Sequence, residues 1–390
     1  MPDILLLILL VVAILIGYVL GRYSVKRADR HESSPVSKDY FVGLNYLLNE
    51  QPDEAIETFI GALDINSDTV DTYLALGSLF CKRGEVERSI RVHQDLLARP
   101  SLTTAQSIKV QLALAKDYMT AGLLDRAEAM LTDLIGHSHE FKEEALQLLL
   151  KIYEQEKEWQ KAIDVAESLR RNQDFSYYKT LAFYYCEQAE GYLNSNDRVS
   201  ARRYIKSAFG RDKNCVRASL LLGRMEYEEG GYRDAVRALE RIAKQDIRYI
   251  PLSIPLLERS YNNMPNFKGL GAYLAKCLNE KPGSAVILAM TRLLEADRGE
   301  QYAIGFLTEQ LCKRPTLSGL NKLIELQQLL GRADKEDSFH LFQELTKKML
   351  ALKPVFTCSS CGFTSKEMYW QCPGCREWGT VAPIEGIEGE

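Results

Sequence analysis

The chain has 390 residues, 46% of them hydrophobic, and a formal net charge of −4. This is enough apolar sequence for a large core, which excludes a chain that is disordered throughout. The slightly acidic balance gives no overall positive field, so the composition does not favour nucleic acid as a partner.

The amino end predicts a membrane anchor. Residues 4–20 are uncharged and nearly all apolar, and at about 1.5 Å per helical residue such a run is just long enough to span a bilayer. Asp3 precedes the run and four basic residues follow it: Arg22, Lys26, Arg27 and Arg30. By the positive-inside rule we predict a transmembrane helix over 1–21, a basic juxtamembrane linker over 22–37 and the bulk of the chain in the cytoplasm. A cleaved signal or a buried core helix is the alternative.

A repeating helical pattern follows over residues 38–352, with breaks about every 15 residues. Small and large residues recur after a shift of about 34 positions, first at Gly43, Tyr46, Ala55, Phe59 and Ala62, then at Gly77, Phe80, Ser89, His93 and Leu96. The pattern continues at Ala115, Tyr118, Ala127, Leu131 and Leu134, at Leu150, Tyr153, Ala162, Ala166 and Leu169, at Ala189, Tyr192, Ala201, Ile205 and Ala208, and at Gly223, Ala235, Leu239 and Ile242.

This pattern resembles the tetratricopeptide repeat, in which a small residue lets two helices approach and a large one fills the gap between them. One helix pair cannot bury both of its apolar stripes, so we predict about eight to nine pairs stacked into a superhelix. His93 stands at a large core position, which favours packing between helices over chemistry.

If the repeats follow that geometry, the first helix of each pair lines a concave face. Five basic residues would be presented there for partner binding: Lys82, Lys116, Lys151, Arg217 and Arg224. A solvated face of mixed charge is the alternative interpretation.

Residues 353–382 predict a four-cysteine metal knuckle, followed by a flexible tail over 383–390. Two C-x-x-C pairs are formed by Cys358, Cys361, Cys372 and Cys375, and two intervening residues let one turn direct both sulfurs at one ion. A structural Zn²⁺ is the leading interpretation, because all four ligands are cysteine. A rubredoxin-like redox iron is the second, and nucleic-acid stacking on Phe363, Tyr369, Trp370 and Trp378 is the third. The five remaining cysteines are scattered singly, which favours a reducing compartment.

The sequence predicts no enzyme. It lacks a P-loop, an H-E-x-x-H motif and a G-x-S-x-G motif. Ser176 and Lys179 match S-x-x-K, but the companion motifs of that chemistry are missing. The predicted fold is therefore all-α: a tetratricopeptide superhelix with one N-terminal transmembrane helix and a small C-terminal rubredoxin-like zinc knuckle.

In this order, the three parts resemble the lipopolysaccharide assembly protein B family of Gram-negative bacteria. The more specific segments are 84–94 (GEVERSIRVHQ), 159–167 (WQKAIDVAE) and 369–373 (YWQCP). The resemblance implies an adaptor on the inner face of the inner membrane that promotes destruction of the LpxC deacetylase by the membrane protease FtsH. It also implies that other lipopolysaccharide assembly or regulatory membrane proteins are partners. It also implies that the knuckle folds back against the repeats and that its four cysteines are needed for function. One departure is Arg376, which stands where rubredoxin-like turns often have glycine.

Two other functions remain open at this point: a rubredoxin-like electron-transfer protein docked by its repeats, and an unrelated envelope-assembly scaffold. Because the helical pattern runs directly into the knuckle, we expect the knuckle to act as a metal-stapled cap on the last repeats.

Overall fold

The computed structural model describes residues 70–137, 140–170, 176–264, 268–280, 283–329, 336–384 and 386, together with residues 42, 45, 46 and 58. The predicted anchor, the basic linker with Arg22, Lys26, Arg27 and Arg30, and most of the first repeat lie outside these residues. Within the described ranges, no helix combines the length and apolar character needed to cross a membrane. The anchor stays a prediction.

The chain divides into two compact units, one ending at Ala145 and the other beginning at Leu146. Among the described residues, four helices lie wholly in the first unit: α1 (Val70–Lys82), α2 (Val86–Leu97), α3 (Thr104–Thr120) and α4 (Leu124–His137). Helix α1 packs on α2, α2 on α3, and α3 on α4. Within each of the pairs α1/α2 and α3/α4, the turn contains a glycine with positive φ, Gly84 at 84° and Gly122 at 75°, as a tight reversal requires.

The first unit shows why its repeat positions alternate between small and large residues. A Cβ added to Gly77 of α1 would lie 2.2 Å from Nε2 of His93, so only glycine lets the imidazole ring fit between the helices. His93 is 1% exposed, and its Nδ1 lies 2.6 Å from Oδ2 of Asp117 on α3. The Ser89 hydroxyl lies 2.7 Å from the same carboxylate oxygen. The prediction that His93 packs between helices is confirmed.

The second unit continues the helical pattern. One helix spans the boundary between the units, α5 (Lys142–Glu156). It is followed by α6 (Trp159–Arg170), α7 (Ser176–Asn194), α8 (Arg198–Arg211), α9 (Val216–Glu228), α10 (Tyr232–Glu240), a short α11 (Ile242–Gln245), a 3₁₀ turn (Ile247–Tyr249), α12 (Ile250–Asn262), α13 (Lys268–Glu280), α14 (Ser284–Arg298), α15 (Glu300–Lys313), α16 (Leu317–Leu329) and α17 (Glu336–Leu352).

The predicted packing positions of the second unit form its core. Ala162, Ala201 and Ala235 are fully buried. A Cβ on Gly223 of α9 would lie 2.6 Å from the Leu239 side chain on α10, so this pair repeats the close approach seen at Gly77. Tyr192 is only partly buried. The helical tetratricopeptide fold is confirmed for the described residues between 70 and 352.

A small three-stranded sheet follows the last helix. Strand β1 (Phe356–Cys358) pairs antiparallel with both β2 (Thr364–Ser365) and β3 (Val381–Pro383), which gives the order β2-β1-β3. The Ile384 N–H donates to the Val355 carbonyl over 2.8 Å. The ordered knuckle therefore extends past residue 382, where the sequence predicted that a flexible tail begins.

Candidate metal centre

The four predicted ligand sulfurs converge at one point. Sγ of Cys358 lies 3.8 Å from Sγ of Cys375, Sγ of Cys361 lies 3.6 Å from Sγ of Cys372, and all four lie within 4.8 Å of one another. A tetrahedral ion with metal–sulfur bonds of about 2.3 Å places its ligands about 3.8 Å apart. The donor set and the spacing therefore fit a four-coordinate thiolate metal site.

The two C-x-x-C turns have the same backbone structure. In each turn, the residue after the pair donates its N–H to the carbonyl of the first cysteine: Gly362 to Cys358 over 3.0 Å, and Arg376 to Cys372 over 2.8 Å. The first cysteine then donates its own N–H to the carbonyl five residues ahead, over 2.7 and 2.9 Å. Gly362 has a φ of 76° and Arg376 a φ of 60°. The departure at Arg376 thus preserves the turn, although glycine is favoured in this region of φ.

The surroundings of the sulfurs affect how readily each thiol ionises. Burial opposes ionisation of Cys358, but hydrogen bonds from the Thr380 hydroxyl and from the N–H groups of Cys361 and Ser360 lower the pKa of this thiol to about 6. For Cys361, a hydrogen bond from the Phe363 N–H favours the thiolate, but burial and the three neighbouring sulfurs raise the pKa to about 11. Four thiolates this close together repel one another, and a bound divalent metal removes that repulsion.

The knuckle docks on the helices of the second unit through Trp378. The Trp378 indole N–H donates to Oε1 of Glu154 on α5 over 2.8 Å, and the Tyr184 hydroxyl donates to the same oxygen over 2.5 Å. The indole ring stacks on Phe183 at 5.4 Å and meets Trp159 and Tyr184 edge-on at 5.9 and 5.7 Å. Such aromatic pairs add about 0.5–1.5 kcal/mol each beyond the area they bury.

Trp370 makes a second docking contact. Its ring stacks on Tyr249 at 5.7 Å, and the Arg217 guanidinium lies 5.8 Å from the ring centroid. The Tyr249 hydroxyl donates to the Val381 carbonyl over 2.9 Å. Burial raises the pKa of Tyr249 to about 12, so the hydroxyl keeps its proton for this bond at neutral pH.

The docking surface is closely fitted at Gly379. This residue has a φ of 67°, and a Cβ placed on it would lie 2.8 Å from the Phe183 ring. Ala382 and Met368 belong to the same apolar cluster as Tyr249 and Ile250. The expected fold-back of the knuckle is thus present. The expected cap is wrong in its location, since these contacts lie on α5–α7, α9 and the 3₁₀ turn.

The five predicted partner-binding residues lie in different settings. Lys82, Lys116, Lys151 and Arg224 are exposed, and two of them form ion pairs, Lys116 with Glu144 at 2.7 Å and Arg224 with Glu228 at 2.9 Å. Arg217 is only 4% exposed and bridges Glu187 and Glu190 at 2.6 Å each. It therefore supports the knuckle surface and does not extend into solvent. Binding at the other four stays a prediction.

The sequence alone did not identify the residues that contact the knuckle, which are Glu154, Trp159, Phe183 and Tyr249. In the sequence, the one sign that these residues make such a contact is that they are aromatic or acidic and lie outside the packing positions of the repeat. The knuckle tryptophans, which base stacking would need, face the protein instead.

Family models and relatives more than 30% identical agree with this architecture. The family model described as the rubredoxin metal binding domain matches residues 356–383, and tetratricopeptide repeat models match residues 72–103 and 186–250. The chain is 36% identical over 388 residues to lipopolysaccharide assembly protein B of Escherichia coli strain K12, and the match covers 99% of each chain. It is 32% identical over 395 residues to the protein of that name from Haemophilus influenzae, and the match covers 98% of this chain and 99% of that one.

Among solved structures, a tetratricopeptide repeat protein from Parabacteroides merdae matches 67% of this chain and all of its own, at 13% identity and a TM-score of 0.34. The MamA protein matches 47% of this chain and 94% of its own, at 19% identity and a TM-score of 0.32.

Proposed function

The chain belongs to the lipopolysaccharide assembly protein B family, and from this membership we propose that it is a non-enzymatic adaptor tethered to the inner membrane. In this proposal it brings the LpxC deacetylase to the FtsH protease and thereby limits lipopolysaccharide synthesis. Confining adaptor, protease and substrate to one membrane raises their effective concentrations, so no single contact has to be tight.

The observation that carries the proposal is the docked knuckle. Its half-buried tryptophans pack against the helices, and its four cysteine sulfurs would supply all four ligands of a metal, which is the arrangement of a structural site. A groove of ≈ 710 Å³ lies where the knuckle meets α5 and α7, and it is lined by Lys151, Lys179, Arg376, Glu154 and Glu377. This mixed-charge groove is where we place a contact with a partner protein.

The half-life of LpxC tests the function. Cells depleted of the protein should degrade LpxC more slowly, and the full chain should restore the rate while a chain lacking residues 1–21 should not. An unchanged LpxC half-life after depletion contradicts the proposal and leaves an unrelated envelope scaffold.

Charge reversal tests where partners bind. Lys151→Glu with Lys179→Glu should weaken co-purification of LpxC or FtsH from membranes, because both changes alter the groove. Arg237→Glu is the matched control, since Arg237 is 76% exposed on α10 and pairs only locally with Asp234. Equal recovery of partners with both variants removes the groove from the proposal.

Electron transfer is the second candidate, favoured only by the thiolate set itself. It requires iron, so stoichiometric iron with a reversible potential in the native protein would replace the adaptor proposal. Stoichiometric zinc, which has no redox chemistry, supports the structural site.

A further inference from the structure

Two buried cysteines of the second unit lie in contact with each other. Sγ of Cys186 on α7 is 3.8 Å from Sγ of Cys215, the residue that precedes α9, and the two residues are 0% and 2% exposed. Both are free thiols. A disulfide bond is about 2.05 Å long, so the sulfurs must approach each other by about 1.8 Å to form one. Because the sulfurs already touch, a rotation of the two side chains can supply this movement.

Ion pairs join the same two helices beside the sulfurs. Arg217 on α9 pairs with both Glu187 and Glu190 on α7, at 2.6 Å each. Glu187 directly follows Cys186, and Arg217 is two residues after Cys215. Charge-assisted contacts at this level therefore hold α7 and α9 together and keep the two sulfurs next to each other in the reduced protein.

The two thiols differ in acidity. Burial raises the pKa of the Cys186 thiol. Cys215 is the N-cap residue of α9, and a hydrogen bond from the Cys186 thiol lowers the pKa of Cys215, with the Arg217 charge acting in the same direction. The thiolate is the reactive form of cysteine, and the start of a helix favours it. Cys215 is therefore the nucleophile of the pair, and Cys186 is the thiol that stands next to it.

The pair lies close to residues that hold the knuckle. Phe183, which stacks on Trp378, is one helical turn before Cys186 on α7. Arg217, whose guanidinium lies 5.8 Å from the centroid of the Trp370 ring, follows the second cysteine of the pair by two residues. A covalent bond between the helices would fix the spacing of these two contacts, so local opening of the docking surface would become rarer.

We propose that Cys186 and Cys215 are a redox pair that forms a reversible disulfide between α7 and α9. In a reducing compartment the pair is a dithiol, and an oxidant of the hydroperoxide class converts it transiently to the disulfide. The proposal concerns the docking of the knuckle and does not depend on the adaptor function.

Hydrogen peroxide illustrates the chemistry. The Cys215 thiolate attacks one peroxide oxygen and the O–O bond breaks, which leaves a sulfenic acid on Cys215 and releases hydroxide. The Cys186 sulfur then attacks the sulfenic sulfur, the S–S bond forms, and the S–O bond breaks as the oxygen leaves with the Cys186 proton as water. Two thiols and one hydrogen peroxide thus give one disulfide and two waters, and a dithiol reductant restores both thiols by exchange.

Peptide mapping tests the pairing on the zinc-loaded full chain in detergent. After exposure to hydrogen peroxide, the remaining thiols are alkylated and the chain is digested with trypsin without reductant. We expect peptide 180–198, which contains Cys186, to be joined to peptide 214–217, which contains Cys215, with the loss of two hydrogens. Dithiothreitol should separate the two peptides. Absence of the joined peptide overturns the proposal.

Two comparisons show whether the fold selects this pair. Cys277 is the matched control, because it is buried in the same unit but lies beside Tyr273 and not beside another cysteine. Crosslinks to Cys277 should be at least tenfold rarer than the crosslink between Cys186 and Cys215, and oxidation in denaturant should abolish this preference. The same preference in denaturant overturns the proposal. Release of the metal before the disulfide forms would make the ligand cysteines the reactive thiols and would also overturn it.

Hydrogen exchange tests the effect on the knuckle. Oxidation should slow amide exchange around Phe183 and Arg217 at least tenfold in the parent protein and in Cys277→Ala, and should leave it unchanged in Cys186→Ala. Unchanged exchange in a parent protein that carries the disulfide overturns the connection to the knuckle. If Cys186→Ala does not fold, Cys215→Ala takes its place, and peptide mapping of the parent protein still decides the pairing.

Discussion

Trp378 of the knuckle donates its indole N–H to the Glu154 carboxylate over 2.8 Å, although the two residues are 224 positions apart in the chain. Glu154 also accepts a hydrogen bond from Tyr184, whose ring meets the indole edge-on. A carboxylate that accepts from both donors fixes the position and the orientation of the indole. The metal module is thereby positioned against the helical repeats.

Trp378→Ala should detach the knuckle while leaving its metal in place. The change removes the stacking with Phe183 and leaves Glu154 with one donor fewer, at an expected cost of about 3–5 kcal/mol to docking. Hydrogen exchange should increase in β1 and β3, at the end of α5 near Glu154 and around Phe183 within α7, with metal content unchanged. Tyr369→Ala is the matched control, since Tyr369 is 37% exposed and contacts Phe363 within the knuckle. Equal exchange in both variants would contradict this role for Trp378.

Metal removal should act first on the knuckle. Its sheet has three strands of two or three residues, too little to fold by apolar burial, so a chelator or Cys372→Ser should unfold it. The helices should keep their far-ultraviolet circular dichroism, and exchange should rise around Phe183 and Tyr249. Loosening confined to α17 would instead support a cap on the last helix.

Gly223→Ala should destabilise the second unit. The added methyl would lie 2.6 Å from the Leu239 side chain in a packed core, which costs about 1–3 kcal/mol. Gly191→Ala is the control within the same unit, because no atom lies within 4 Å of the added Cβ. That change should stabilise helix α7 by about 0.5–1 kcal/mol. The denaturant midpoints of the two variants measure both changes in stability. Equal shifts of the midpoint would show that helix propensity, and not the close approach of the helices, determines the effect of the substitution at Gly223.

Arg217→Met should reduce stability more than Arg224→Met. Arg217 is buried against Glu187 and Glu190, and removing it leaves two carboxylates without their cation, at a cost of about 3–5 kcal/mol. Arg224 is exposed, and its pair with Glu228 contributes at most about 1 kcal/mol. Thermal melting of the two variants decides, and similar melting temperatures would contradict the stabilising role of Arg217.

Arg376→Gly should be tolerated and stabilise the second C-x-x-C turn. A residue other than glycine held at a φ of 60° costs about 1–3 kcal/mol, and glycine removes that cost. The variant should keep its metal at chelator concentrations that strip the parent protein. Arg376→Val is the opposite case, since a β-branched residue disfavours this region of φ further. Weaker metal retention by Arg376→Gly would show that the arginine side chain itself supports the turn.

The sequence by itself determined the helical repeats and the metal ligands, because both depend on local spacing. A small residue at Gly77 or Gly223 and a large one on the next helix specify a close approach wherever helices pair. Two C-x-x-C turns specify four converging sulfurs, since each turn closes through its own backbone hydrogen bonds.

Only the tertiary structure decided where the knuckle docks and what Arg217 does. Glu154, Phe183 and Tyr249 become one surface through helix stacking, and no local pattern links them to Trp370 or Trp378. The same holds for Cys186 and Cys215, which look single in sequence yet have sulfurs 3.8 Å apart in the core. Contacts between residues far apart in the chain depend on the curvature of the stacked helices, which is set by the sum of many packing contacts.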